Sequence, residues 1–121
     1  MRKKVLIVED VKTTREGMRL LLSNRDHEVL EAVNGKEGME IARSTRPDLI
    51  ILDAELPELS GYDVYSLLKK DPALQRIPVL FLVADTDSFD MPTRSIPPAQ
   101  FLVSKPFKAH DLMDRVARIL S

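Results

Sequence analysis

The sequence predicts a doubly wound α/β domain, in which helices cover both faces of a parallel sheet. Three short runs are almost wholly apolar: Val5–Val8, Leu49–Leu52 and Val79–Val83. Short, continuously apolar runs are typical of strands that are buried on both faces, as they are in a parallel sheet. Segments with helical spacing lie between these runs, and this alternation of strand and helix implies right-handed crossovers.

Two weaker runs, Glu28–Ala32 and residues 101–104, are predicted as strands nearer the edges and bring the number of strands to five. The helices are predicted from apolar spacing and from capping residues. Thr13–Glu16 fits a capping box for the first helix, and Asn34–Glu37 fits the start of the second. A third helix is predicted to begin near residue 60 and to end at residues 71–72, and a last helix runs to the C-terminus.

Composition and charge narrow the function classes. The chain has 121 residues with 18 basic and 19 acidic side chains, and its formal net charge is −1. This length fits one domain, predicted over residues 1–121, and the balanced charge argues against a nucleic-acid binder with a broad basic surface. The absence of cysteine excludes disulfides and cysteine zinc sites. The apolar run near the N-terminus is too short for a signal peptide or a membrane span, so we expect a cytoplasmic protein without a membrane partner.

Charged side chains follow the predicted strands at the point where each strand ends. Glu9 and Asp10 follow the first strand, Asp53 the third, Asp85 the fourth and Lys105 the fifth. Ligands of open α/β sheets bind at the carboxyl ends of the strands. A lone acidic residue there usually caps a helix or lies in a solvated loop, and a lone lysine is usually a surface residue. The combination favours a site for a hard cation such as Mg²⁺, because crowded carboxylates repel one another.

These motifs together resemble the receiver domain of bacterial two-component response regulators, the CheY-like family. The resemblance is carried by VLIV followed by Glu9-Asp10, by the block PDLIILDAELPELSG around Asp53, and by Lys105 within SKPF. It extends over essentially the whole chain, from residue 3 to residue 120. It implies a flavodoxin-like sheet with strand order 2-1-3-4-5.

The resemblance also implies a phosphoryl switch with Asp53 as the phosphoacceptor. In the family, a histidine kinase or a phosphotransfer protein supplies the phosphoryl group, and Mg²⁺ binds in the acidic pocket. Carried over to this sequence, the direct Mg²⁺ ligands would be Asp10, Asp53 and the backbone carbonyl of Glu55. Glu9 would act through water.

The same resemblance assigns the phosphoryl group two further contacts. Lys105 would pair with a phosphoryl oxygen, and the backbone of Ala84 would bind the group as well. Pro106 would follow Lys105 through a cis peptide bond, as in the family. These contacts suit phosphoryl transfer, which needs positioning and neutralisation of the charge on the oxygens.

Three departures from the family pattern predict an atypical switch. Val83 stands where the family has a threonine or serine, so a hydrogen bond of about 1.5–3 kcal/mol to the phosphoryl group is lost. Leu102 stands where the family has a tyrosine or phenylalanine, and Phe101, one residue earlier, is expected on the opposite face of the strand. A bulge in the strand would instead bring Phe101 into the position of that ring. Residues 85–100 contain three prolines, so we expect the fourth helix of the family to be short or lost.

Two other functions remain open at this point. A receiver-like scaffold could bind a partner without phosphorylation; the acidic residues and Lys105 argue against it, whereas Val83 and Leu102 argue for it. An Mg²⁺-dependent phosphatase with an aspartyl intermediate would need a cap domain, for which the chain is too short. We therefore expect a signalling module that modifies only its own aspartate and contacts an unknown downstream protein.

Overall fold

The computed structural model describes residues 2–84 and 101–121. These residues form five strands and four helices in the predicted alternation. The strands are β1 (Lys4–Val8), β2 (Glu28–Ala32), β3 (Leu49–Asp53), β4 (Val79–Val83) and β5 (Leu102–Ser104). The helices are α1 (Lys12–Ser23), α2 (Gly35–Thr45), α3 (Gly61–Lys70) and α4 (Ala109–Leu120).

The strands form one parallel sheet in the order β2-β1-β3-β4-β5. The flavodoxin-like fold is therefore confirmed. In the registers of the sheet, Val8 pairs with Leu52, Asp53 with Leu82 and Val83 with Ser104. The carboxyl ends of β1, β3, β4 and β5 consequently meet at one edge of the sheet, which is where the charged residues lie.

Helices cover the sheet on two sides and bury two apolar layers. Adjacent side chains of a strand point to opposite faces, so alternate residues of each central strand enter different layers. The layer under α2 and α3, here called the α2/α3 core, includes Val8, Ala32, Met39, Leu52, Val64, Phe81 and Val83. The layer under α1 and α4, here called the α1/α4 core, includes Val5, Ile7, Met18, Ile51, Leu82, Val103, Leu112 and Val116.

The starts of α2 and α3 agree with the sequence. The side chain of Asn34 accepts a hydrogen bond from the backbone N–H of Glu37, and Ser60 with Asp63 forms a complete capping box. The capping box predicted at Thr13 is wrong, because the N-cap of α1 is Val11, two residues earlier, and the helix begins at Lys12. Val11 takes the N-cap position and makes no side-chain cap, because valine has no polar side-chain atom.

The two outer strands differ from the inner three. β5 has only three residues, and Arg115 of α4 donates a hydrogen bond from Nη1 to the carbonyl of Leu102 at 2.6 Å. β2 is only partly buried along most of its length and carries Glu28 and Glu31.

Two sequence predictions fall outside the described residues: the shortened fourth helix and the position of Asp85. Within residues 2–84 and 101–121, no helix is both long enough and apolar enough to cross a membrane.

Candidate functional site

The strand ends bring three of the predicted residues to one side of the sheet. Val8 and Leu52 belong to the α2/α3 core, so strand alternation directs the next residues, Glu9 and Asp53, toward the α1/α4 side. Lys105 follows β5, two residues after Val103 of the α1/α4 core. The topology thus explains why residues up to 96 positions apart in the chain are in contact.

Asp53 is the centre of this site. Only 2% of its surface is exposed. Its Oδ2 accepts a hydrogen bond from Nζ of Lys105 at 2.8 Å, and its Oδ1 accepts one from the backbone N–H of Glu55 at 3.1 Å. Nζ of Lys105 also donates to Oε1 of Glu9 at 3.3 Å. One ammonium group therefore bridges two buried carboxylates.

Burial and crowding change the proton affinity of both Glu9 and Lys105. Desolvation, together with the hydrogen bond and charge of Asp53, raises the pKa of Glu9 from 4.5 to about 8, although Lys105 acts in the opposite direction. Desolvation lowers the pKa of Lys105, but the hydrogen bond and charge of Asp53 and the contacts with Glu9 outweigh it, and the net pKa is raised. The lysine is therefore charged, while Glu9 retains a proton more readily than an ordinary carboxyl.

The donor set fits a hard divalent cation. Glu9, Asp10 and Asp53 each offer a carboxylate oxygen within 4.8 Å of the others. Oε2 of Glu9 is buried without a hydrogen-bond partner, which is costly for an oxygen atom unless something else satisfies it. Asp10 is exposed and leaves the cluster open to solvent. Carboxylate oxygens beside a solvent opening suit Mg²⁺, which keeps several of its waters.

Ala84 and Glu55 lie at the mouth of the site. Ala84 lines one cavity together with Lys105 and with residues of α1. Glu55 is exposed, and its backbone contacts Asp53 as described above. The peptide bond between Lys105 and Pro106 is cis.

Val83 and Leu102, the two unusual positions, both face away from the charged cluster. Val83 is 1% exposed and belongs to the α2/α3 core, and Leu102 packs against the same core. Phe101 lines a separate cavity with Arg115 and Ile119 of α4, so it lies on the other side of the sheet, as predicted.

The sequence did not single out Arg15. Its Nη1 donates a hydrogen bond to the carbonyl oxygen of Glu9 at 3.0 Å, and its Nε forms an ion pair with Glu31 at 3.3 Å. An arginine on the first turn of a helix carries no pattern that would indicate a contact with a backbone carbonyl of the preceding turn.

Gly61, the first residue of α3, lies directly against the end of β3. Its backbone N–H donates to the carbonyl of Ala54 at 3.0 Å. A Cβ atom at this position would lie 2.1 Å from the carbonyl oxygen of Asp53 and 2.7 Å from Cα of Ala54. Only glycine permits this approach of helix to strand.

The comparison with known proteins agrees with this geometry. The family model of the response regulator receiver domain matches residues 5–117. The chain belongs to this family. Among curated relatives of this receiver domain, the polar-differentiation response regulator DivK of Brucella anthropi is 42% identical over 84 residues, which make up 69% of this chain and 68% of DivK.

Longer relatives and solved structures extend the comparison. The DNA-binding response regulator MtrA of Mycolicibacterium smegmatis is 32% identical over 116 residues, 96% of this chain and 50% of MtrA. The receiver domain thus spans half the length of MtrA. The chemotaxis response regulator CheY4 of Vibrio cholerae has 25% identity and a TM-score of 0.83, with 99% of this chain and 100% of CheY4 covered.

The raised pKa of Glu9 leads to a prediction about stability. Without divalent cations, the folded domain holds a proton on Glu9 up to about pH 8, whereas the unfolded chain releases it near 4.5. The free energy of unfolding should therefore fall as the pH rises through this window. Glu9→Gln removes this slope, and at pH 8 we expect it to be more stable than the wild type by on the order of 1 kcal/mol. Urea unfolding in EDTA at pH 5, 6.5 and 8 measures this effect. If the free energy of unfolding fell equally steeply with pH in the two proteins, the prediction would be contradicted.

Proposed function

We propose that this receiver domain accepts a phosphoryl group on Asp53 from a histidine kinase or phosphotransfer protein. The observation that carries the proposal is the Asp53 carboxylate itself. It is buried, held between the Lys105 ammonium and the backbone N–H of Glu55, and joined by two further carboxylates. A carboxylate fixed in this way is positioned as a nucleophile, which is the main requirement of phosphoryl transfer.

In the proposed reaction, an Asp53 oxygen attacks the phosphorus of a phosphohistidine. The phosphorus–nitrogen bond breaks, its electron pair returns to the imidazole, and an acyl phosphate forms on Asp53. Lys105 neutralises charge on a phosphoryl oxygen, and the backbone of Ala84 provides a second contact. These groups stabilise the charge that the transferred oxygens carry in the transition state.

The proposed cation ligands are Asp10, Asp53 and the backbone carbonyl of Glu55, with Glu9 acting through water. Bound Mg²⁺ supplies charge neutralisation and a template for the phosphoryl oxygens. The orphaned Oε2 of Glu9 supports this assignment, because a hydrated cation would offer it a donor.

The proposed output is contact with a downstream protein. We propose that the chain acts as a single receiver domain and that it lies in the cytoplasm. MtrA is named as a DNA-binding response regulator, but this receiver domain spans only half of that protein, and we propose no nucleic-acid contact for it. Val83 has no hydroxyl to offer the phosphoryl group, so the proposed signal travels by a route other than a hydroxyl on β4. We propose no turnover of an external substrate.

The test is phosphorylation of the purified chain by acetyl phosphate with Mg²⁺, followed by intact-mass measurement. We expect a mass gain of one phosphoryl group in the wild type, and no gain in Asp53→Asn or in EDTA. Asp63→Asn, at an exposed aspartate outside the site, serves as the control and should be phosphorylated normally. A gain in Asp53→Asn, or none in the wild type, would overturn the proposal.

A second candidate is a phosphorylation-independent scaffold, which the apolar Val83 and Leu102 favour. The same experiment separates the two functions when amide NMR spectra are recorded before and after phosphorylation. Changes that reach Leu102 and α4 support a working switch. A wild type that accepts no phosphoryl group would leave the scaffold as the better function.

A further inference from the structure

We propose that Arg15 is a positioning residue that fixes the turn carrying Glu9 and Asp10 and so sets the affinity of the cation site. The inference rests on the proposed function, since it concerns the residues that would hold Mg²⁺. Arg15 itself does not touch the proposed ligand atoms of the site. It acts through the backbone of the turn between β1 and α1.

The turn lacks the usual means of fixing a helix start. Val11 occupies the N-cap position of α1 and provides no side-chain cap. The carboxylate of Asp10 makes no hydrogen bond or ion pair with the residues that the structure describes. Without a further contact, the backbone that carries this carboxylate would be held only by the torsions of an exposed turn.

Arg15 supplies that contact. Its Nη1 donates to the carbonyl oxygen of Glu9 at 3.0 Å, while the backbone N–H of Glu9 donates to the carbonyl of Ala32 on β2 at 3.1 Å. The peptide groups on both sides of Glu9 are thereby held. The Glu9 carbonyl belongs to the same peptide plane as the N–H of Asp10. Holding this carbonyl therefore also holds the backbone nitrogen of Asp10 in place.

The guanidinium of Arg15 is itself braced from the sheet. Its Nε lies 3.3 Å from Oε1 of Glu31 on β2, and the Arg15 side chain is only 13% exposed. The other oxygen of Glu31 pairs with Nε of Arg19 at 3.5 Å. An arginine presents several donors in a rigid plane, so one nitrogen can bind the carboxylate while another binds the carbonyl.

Arg19 provides a matched control for the experiment. It lies one turn further along α1 and binds the same glutamate, but it makes no contact with Glu9. Arg19→Gln therefore removes a similar charge and a similar ion pair, and it leaves the carbonyl of Glu9 bonded to Arg15. Arg15→Gln removes both.

The experiment measures the Mg²⁺ dissociation constant of each purified variant by NMR titration. We expect the dissociation constant of Arg15→Gln to rise about tenfold, as is typical when a group that orients a metal ligand is lost. Arg19→Gln should stay within about twofold of the wild type, and Arg15→Lys should fall between the two because it keeps the charge and loses the planar arrangement. Thermal unfolding in EDTA verifies that each variant is folded.

A second readout separates positioning from a general loss of structure. At saturating Mg²⁺, the rate of phosphorylation of Arg15→Gln by acetyl phosphate should return to within about threefold of the wild type. In the metal-free protein, the amide signals of Asp10 and Val11 should move in Arg15→Gln and not in Arg19→Gln.

Equal dissociation constants for Arg15→Gln and the wild type would overturn the role of Arg15 and leave the cation site intact. Equal weakening in the Arg15 and Arg19 variants would also overturn it, because the effect would then come from charge alone. A wild type that binds no Mg²⁺ would overturn the proposed cation site, and the role of Arg15 with it.

Discussion

Replacing Gly61 by alanine is expected to destabilise the domain by at least about 3 kcal/mol. The new Cβ would lie 2.1 Å from the carbonyl oxygen of Asp53 and 2.7 Å from Cα of Ala54. Both neighbours are backbone atoms, so no side-chain rotation can relieve the overlap. Either α3 or the end of β3 must move, and the movement occurs next to Asp53. Urea unfolding measured by circular dichroism gives the loss of free energy.

Gly17→Ala is the matched control for this substitution. Gly17 lies in the exposed middle of α1, and a Cβ there would have no heavy atom within 4 Å. Alanine is the better helix former, so the same change at this position should raise the free energy of unfolding by about 0.5–1 kcal/mol. If both variants changed stability in the same direction, the close approach at Gly61 would not be the cause.

Replacing Lys105 by methionine should have the largest effect on the site itself. Methionine keeps most of the length of the side chain but removes the ammonium that bridges Glu9 and Asp53. In EDTA at pH 9.5, we expect a loss of about 3 kcal/mol, because Glu9 can ionise beside the ammonium in the wild type, whereas in the variant it must keep its proton next to Asp53. The loss should shrink at pH 5, where Glu9 holds a proton in both proteins. Urea unfolding at the two pH values measures this difference.

The same variant should accept a phosphoryl group more slowly, by at least about tenfold, because the charge on the phosphoryl oxygens is no longer neutralised. Lys108→Met is the control, since Lys108 is exposed at the start of α4. We expect it to match the wild type in both stability and phosphorylation rate. A loss relative to the wild type that is no larger at pH 9.5 than at pH 5 would show that the lysine does not hold the two carboxylates.

Much of the fold could be predicted from the sequence because its signals are local. Composition and length were enough to predict strands from apolar runs such as Leu49–Leu52. Capping residues were enough to predict the starts of α2 and α3. The sequence predicts the start of the first helix two residues late, because Thr13 and Glu16 fit a capping box that the structure does not form.

The candidate site could be predicted only in part. The topology rule that gathers the carboxyl ends of parallel strands was enough to bring together Glu9, Asp53 and Lys105. The complete burial of Glu9 was not foreseen, because it depends on how the surrounding helices pack. The contact of Arg15 with the Glu9 carbonyl joins a side chain of α1 to the backbone that follows β1. It also depends on the ion pair between Arg15 and Glu31 on β2. Periodicity and spacing carry no information about such a contact.

The outer strands of the sheet have a consequence for association between molecules. An exposed strand edge is a template on which a strand of another chain can pair, and this is a common route to aggregation. β5 offers only three residues, and Arg115 already occupies one of its carbonyls. β2 carries Glu28 at its start, and its other acidic residue, Glu31, is paired with Arg15 and Arg19. The charge of Glu28 disfavours a second copy of the same edge. The short β5 and the charge at the start of β2 thus both disfavour strand addition at the borders of the sheet.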